Sequence, residues 1–234
     1  MSNRSIHTLL KNWDEECPLT REEAVEVLNL PEEEMDSLME CAYALRTKYK
    51  GKKVSVQLLT NVRSGNCTQN CAYCAQSKDS QAEIEKYKRV SDEKLYGDND
   101  LVDEKHLARH CIGLSGIGFS DEEIEDLADR IREMKKKDTQ ICCSIGFLTE
   151  KQARILKDAG LDRINHNLNS SRSFYPEICT THTYDQRVNN IKMLQSLGFE
   201  ICSGGIVGMG ESKEDIVDML MDLREINPES VPIN

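Results

Sequence analysis

The chain has 234 residues, a length that suits one large α/β domain better than two small ones. Its formal net charge is −11, from 30 basic and 41 acidic side chains with no basic block, which argues against nucleic acid or a membrane surface as partner. Ten cysteines, a start without an apolar leader and no stretch approaching ~18 apolar residues argue against a secreted disulfide scaffold or a membrane protein, and favour a reducing, cytoplasmic setting in which thiols bind metal.

Residues 1–50 read as a helical extension. Thr20-Arg-Glu-Glu23 is a capping box ahead of Ala24, Val25, Val27 and Leu28. Pro31 suits a first helical turn, and Met35, Leu38, Met39, Ala42 and Leu45 follow at helical spacing up to Gly51. Cys17 and Cys41 read as helix-packing residues.

From Val54 the pattern alternates strand and helix. Strands are predicted at 54–60, 108–115, 139–145, 161–168 and 199–207, with a sixth starting at 230–234. Ser120-Asp-Glu-Glu123, Thr149-Glu-Lys-Gln152 and Thr183-Tyr-Asp-Gln186 cap helices, and a further helix is predicted over 212–225. The first of these carries an apolar stripe of Ile124, Leu127, Ala128, Ile131 and Met134. Residues 76–106, rich in Lys, Asp and Glu, read as a solvated face with one weak helical patch. Such alternation builds a parallel sheet with helices outside. The expected fold is therefore α/β: a partial TIM-type (β/α) barrel over 51–234, with about six of the usual eight strands and the last two missing.

Cys67, Cys71 and Cys74 follow the first strand in the spacing C-x3-C-x2-C, close enough for a curled loop to bring the sulfurs to one point. An odd trio pairs poorly as disulfides, and zinc normally takes four protein ligands, whereas no further Cys or His follows nearby. An iron–sulfur cube on three thiolates leaves one iron open to a ligand. Elsewhere Cys111, Cys142, Cys143 and Cys202 fall on predicted strands, where single cysteines are commonly buried apolar residues. Asn165, Asn167 and Asn169 fall at period two and share a face, with His166 read as structural on the other. An unpaired buried amide costs about 1–3 kcal/mol, so the three must meet each other, water or a ligand. Arg187 has the fork to grip a carboxylate, although a surface helix position explains it as well. The glycine-rich stretch 203–210 lacks the phosphate-loop Lys-Ser/Thr and reads as a close backbone approach to a cofactor.

The cysteine spacing is that of radical S-adenosylmethionine enzymes. Four longer words narrow the match: Asn66-Cys-Thr-Gln-Asn-Cys-Ala-Tyr-Cys-Ala-Gln-Ser77, Arg163-Ile-Asn-His-Asn-Leu-Asn-Ser170, Ile201-Cys-Ser-Gly-Gly-Ile-Val-Gly-Met-Gly-Glu211 and Glu229-Ser-Val-Pro-Ile-Asn234. Together, and in that order, they resemble the biotin synthase family over about residues 50–234. The resemblance implies a 4Fe–4S cluster on Cys67, Cys71 and Cys74, and a 2Fe–2S cluster on Cys111, Cys142 and Cys202. It implies S-adenosylmethionine bound by Tyr73, Asn167, Asn169 and Arg187, and dethiobiotin bound by Asn165 and Asn234. It implies reductive cleavage of S-adenosylmethionine, hydrogen abstraction from dethiobiotin by a 5′-deoxyadenosyl radical, and sulfur insertion from the second cluster. A flavodoxin or ferredoxin as electron donor and a homodimer of the complete protein belong to the same expectation. In that family an Arg on a later strand completes the second cluster, so a chain ending at Asn234 reads as truncated and incomplete for biotin formation. A hydrogenase-maturation relative, which needs no second thiol trio, and a non-catalytic iron–sulfur remnant remain as alternatives.

Overall fold

The computed structural model describes residues 18–234; Cys17 and the rest of the helical reading of 1–17 lie outside them. Two helices come first, α1 (Arg21–Leu28) and α2 (Met35–Lys50). A parallel five-stranded sheet follows, each strand beside its sequence neighbour: β1 (Gln57–Arg63), β2 (Arg109–Leu114), β3 (Ile141–Ser144), β4 (Arg163–Asn165) and β5 (Glu200–Cys202). The connecting helices are α3 (Asp92–Glu104), α4 (Asp121–Met134), α5 (Glu150–Asp158), then α6 (Tyr175–Ile178) with α7 (Tyr184–Ser196), and finally α8 (Lys213–Ile226) after β5. The predicted capping boxes at Thr20, Ser120, Thr149 and Thr183 all close, each hydroxyl accepting from the third helical N–H and each Glu or Gln returning to the cap.

The predicted sixth strand is present only as parallel bridges, Cys202 with Ser230 and Gly205 with Ile233. Pro232 accepts from the Gly205 N–H (3.0 Å) but has no N–H to return, which breaks the ladder.

Alternation sorts the sheet into two faces. The register row Thr60, Ile112, Cys143, Ile164 and Ile201 is buried beneath the helices. The predicted α4 stripe of Ile124, Leu127, Ala128, Ile131 and Met134 is part of the same core. The opposite, inner face carries two rows, Leu59-Cys111-Cys142-Arg163-Glu200 and Asn61-Gly113-Ser144-Asn165-Cys202.

Two expectations change. Residues 76–106 are not simply a solvated face: α3 buries Leu95, Asp98, Asn99 and Val102. Half of that buried stripe is polar and so hidden from a hydrophobic pattern. Thr60 Oγ1 and Lys94 Nζ donate to Asp98 (2.7 and 2.6 Å), and Asn99 faces His110 Nδ1 (3.1 Å) and donates to the Met134 carbonyl (3.2 Å). In α2 no residue is buried, and Met35 and Met39 of the expected stripe are exposed. The N-terminal region is tied down instead through α1, where Arg21 forks onto Asp218 of α8 (2.6 and 3.1 Å) and Arg224 donates to the Leu19 carbonyl (2.7 Å).

Leu95 is fully buried between α3 and the sheet. Leu95→Ala is expected to cost about 2–5 kcal/mol through lost burial and the cavity left behind, measured as a lower urea midpoint; an unchanged midpoint would show that α3 does not contribute to the core.

Candidate active site

The loop after β1 curls through successive short turns, Cys74 N–H to the Cys71 carbonyl (3.1 Å) and Ser77 N–H to the Cys74 carbonyl (3.0 Å), and closes where Lys78 N–H meets the Gln69 carbonyl (3.0 Å). A second segment, the α6–α7 connection, clamps it. The Asn70 side-chain oxygen accepts the backbone N–H groups of Thr180 (3.1 Å) and Thr181 (3.3 Å), its amide donates to Thr180 Oγ1 (2.7 Å), and Ala72 N–H reaches the Ile178 carbonyl (2.9 Å).

At the C-terminal ends of the strands this loop walls an open pocket of about 820 Å³ of empty space, mouth included. Cys67, Cys71, Cys74 and Tyr73 line it together with Asn165, Asn167, Asn169 and Arg187, and among the described residues no carboxylate does. The Arg187 guanidinium is oriented by Tyr175 Oη, the Asn167 carbonyl (3.1 Å) and His182 Nε2 (2.8 Å), none of them a carboxylate. Burial, aided by Arg187, lowers the His182 pKa to about 4, so the ring is neutral at neutral pH. Burial likewise pushes the Cys71 thiol up to about 12. Asn167 Oδ1 accepts from Gly204 N–H (3.1 Å), and Asn169 sits in the left-handed region at φ 72°, which Asn tolerates better than most side chains.

Two readings of this region are corrected. His166 also lines the pocket, because β4 ends at Asn165 and strict alternation stops there; its ring is buried. The glycine-rich stretch 203–210 does not line the pocket. A Cβ at Gly204 would meet the Pro232 carbonyl oxygen at 1.8 Å, and one at Gly205 the Met219 sulfur at 2.0 Å, so these glycines serve packing within the chain. Asn234 is exposed and outside the pocket, its N–H on the Gly205 carbonyl (3.1 Å). His182 and Cys179 were given no role from sequence, although their Cys-x2-His spacing was visible; the structure sets both against Cys71.

On the inner face, Cys111 and Cys142 are register neighbours, and Cys202 lies two positions along, beside Asn165. Cys143 points the other way, into the helix-covered core. A hydrogen bond with Cys142 and the nearby Arg109 and Arg163 draw the Cys111 thiol down to about 7. Glu200 joins the two guanidiniums, accepting from Arg109 (3.1 Å) and Arg163 (2.8 Å).

A parallel sheet with such a cysteine loop at its C-terminal edge defines the class. The model of the radical SAM superfamily matches residues 61–223, and the chain belongs to that superfamily. Among curated proteins it is 41% identical over 217 residues to the biotin synthase of Geobacillus kaustophilus and 40% identical to that of Bacillus subtilis, covering 92% of this chain in both cases. The chain spans 65% of the length of each of these relatives. Among solved structures a methylornithine synthase superposes with a TM-score of 0.85 at 16% identity, covering 97% of this chain and 66% of that one. The hydrogenase maturase HydG of Carboxydothermus hydrogenoformans gives 0.81 at 19%, covering 97% and 56%. At that identity the superpositions establish the fold.

Superfamily membership implies a 4Fe–4S cluster and S-adenosylmethionine, and the donor set fits them. Three soft thiols, which suit iron–sulfur ligation, share a wall with amide groups and a cation that, among the described residues, has no carboxylate partner. No helix among the described residues is long and apolar enough to cross a membrane.

The segment carrying Asn169 is held by Asp215, whose carboxylate accepts from Ser171 (2.6 Å), Ser173 (2.5 Å) and Ser212 (2.6 Å). These hydroxyls hold its pKa well below the ordinary 3.8. A carboxyl depressed on folding contributes stability that is present above its unfolded pKa and lost as pH falls through the folded value. Asp215→Asn is expected to cost about 1 kcal/mol at neutral pH, a modest figure because solvent screens the half-buried group. The gap from wild type should shrink in acid; a gap independent of pH would overturn this account.

Proposed function

We propose that this chain carries the radical S-adenosylmethionine site of a biotin synthase, acting on dethiobiotin. The observation that carries the reading is the pairing of two thiol trios: Cys67, Cys71 and Cys74 on the pocket wall, and Cys111, Cys142 and Cys202 on the inner face of the same sheet. Identity of about 40% to biotin synthases over 92% of the chain supports the same assignment. A hydrogenase-maturase activity is supported less well, because that likeness is one of fold at 19% identity.

In this reading Cys67, Cys71 and Cys74 hold the 4Fe–4S cluster, and Cys111, Cys142 and Cys202 supply three ligands to a 2Fe–2S sulfur donor. When bound, the clusters and S-adenosylmethionine supply the electron, the radical chemistry and the sulfur. The chain's own residues position and enclose the reactants. Arg187 turns its remaining N–H groups to the methionyl carboxylate, a bidentate match. Tyr73 lies against the adenine, and Asn167 and Asn169 offer hydrogen bonds to the ribose. Asn165, set between the pocket and Cys202, faces the substrate; Asn234, which lies outside this pocket, is assigned to the substrate by the family resemblance alone. The neutral ring of His182 accepts from Arg187, so the guanidinium keeps its orientation without a competing anion. We assign residues 51–234 to the catalytic unit and 1–50 to a helical extension. A cytoplasmic location, an electron donor of the flavodoxin or ferredoxin kind and a homodimeric complete protein go with the proposal.

Anaerobic reconstitution with iron and sulfide, followed by dethiobiotin, S-adenosylmethionine and reductant, tests it in protein extending to the full length of the relatives. Biotin is the expected product; 5′-deoxyadenosine without biotin would keep the superfamily chemistry and reject the substrate. Cys71→Ala is expected to abolish both the visible absorbance of the loop cluster and S-adenosylmethionine cleavage, since three thiolates leave no spare ligand; retained cleavage would sink the ligand assignment. Arg187→Lys should weaken S-adenosylmethionine binding by about tenfold or more, equivalent to roughly 1.4 kcal/mol, and should erase the preference over its decarboxylated analogue. Equal preference in wild type and variant would remove Arg187 from the carboxylate site.

A further inference from the structure

Cys179 lies behind the cluster loop. It is 3% exposed, it does not line the cofactor pocket, and its sulfur stands 3.7 Å from Cys71 Sγ, 108 residues away in sequence. It lines a separate outer pocket between α6 and α7, bounded by Tyr175, Thr183 and Tyr184. Cys71 therefore stands between two surroundings, the cofactor pocket on one side and Cys179 on the other. Both backbones are fixed by the Asn70 clamp, so the two sulfurs face each other across a held junction.

The same thiols and His182 have their donor atoms within 4.8 Å of one another, which suggests a metal ion as one occupant. The hydrogen bonding of His182 argues against it. Arg187 has only N–H groups to offer, so His182 Nε2 must accept and the ring proton sits on Nδ1. Nδ1–H then points at Gln69 Oε1 (3.0 Å) and Cys179 Sγ (3.3 Å), and its lone pair is not available to a cation there.

We propose that Cys179 is a resolving thiol for Cys71, and that the cluster-free protein is oxidised by a peroxide to a Cys71–Cys179 disulfide. This extends the cluster assignment above and rests on it only in making Cys71 a ligand. Cys71, on the wall of the open cofactor pocket, attacks the peroxide O–O bond, becoming a sulfenic acid and releasing water. Cys179 Sγ, in contact with it, then attacks that sulfur, the S–S bond forms and a second water leaves. In sum, two thiols and hydrogen peroxide give one disulfide and two waters. The sulfurs must close from 3.7 Å to the bond length of about 2.05 Å, a side-chain movement across a contact already made. The disulfide withdraws Cys71 from the cluster loop and stops its oxidation before the irreversible sulfinic stage. A thiol reductant returns it.

The test uses the whole chain, freed of iron and other metals by chelator under reductant and then exposed to hydrogen peroxide. After alkylation and non-reducing digestion, mass spectrometry is expected to find Cys71–Cys179 as the dominant linked pair, lost on reduction. Oxidised wild type should fail to take up iron and sulfide, read as absent visible cluster absorbance, and should regain uptake after thiol treatment. In Cys179→Ser, with an unchanged circular dichroism spectrum, the same dose should leave Cys71 as sulfinic acid, with uptake not restored by thiol. Dominant linkage of Cys71 to Cys67 or Cys74 in the wild type would overturn the proposal, as would Cys179 recovered fully alkylated, or zinc retained after chelation and protecting both thiols. Failure of never-oxidised protein to bind a cluster would count against the ligand assignment alone, because the peptide map reads the thiol pair independently.

Discussion

The structure depends on the two-residue period of a parallel strand. In β2 and β3 a one-residue step separates a core position from a chemical one: Ile112 and Cys143 are buried under helices, while Cys111 and Cys142 face the interior. The helix-covered row is apolar but for Thr60, whose hydroxyl is satisfied by Asp98 and His110. Hydrophobic burial fixes the register, and the register sets which residues of each strand face inward. A one-residue slip would expose Ile112 and Ile164 and bury an Arg and a Glu, so the polar face inherits the core's precision.

That precision ends with the strands, since β4 and β5 are three residues each. Beyond them the pocket is built from connections, and these are held by polar side chains rather than by burial. Asn70 fastens the cysteine loop to the α6–α7 segment, Asp215 gathers the hydroxyls of Ser171 and Ser173, and Glu211 accepts from the Gly208 and Met209 N–H groups (2.5 and 2.7 Å). Each of these side chains accepts two or more hydrogen bonds, which orders irregular backbone where no ladder can.

The sequence made the alternation, the capped helices and the cysteine loop legible because each has a short-range signal: a period, a hydroxyl followed by Glu or Gln, a thiol spacing. β1 starts later than expected, at Gln57, with Val54 and Val56 exposed, and runs on to Arg63, with Val62, beyond the predicted strand, buried. α3 was obscured because Asp98 and Asn99 fill buried positions, and only distant partners on β1, β2 and α4 make that tolerable. The Cys71–Cys179 contact joins residues 108 apart and has no local signature at all. The same holds for His166, whose place on the pocket wall follows from where β4 stops rather than from its own neighbours.

The three asparagines show how a site can be rigid and still receptive. An amide has both a donor end and an acceptor end. Asn165 Nδ2 is engaged by Cys202 Sγ (3.2 Å), and Asn167 Oδ1 by the Gly204 N–H (3.1 Å), leaving the donors on Asn167 uncommitted among the described residues. Asn169 is fixed through its backbone instead, its N–H on the Gly204 carbonyl (3.0 Å) and its carbonyl taking the Ile206 N–H (2.9 Å), with its amide group unpaired among the described residues. Each residue is therefore oriented by one set of atoms and presents another to the pocket. Asn167 also receives Arg187 on its backbone carbonyl (3.1 Å), which ties the guanidinium to the same segment. A ligand meeting them finds its partners already in place, and the entropy of ordering those side chains has been lost on folding rather than on binding.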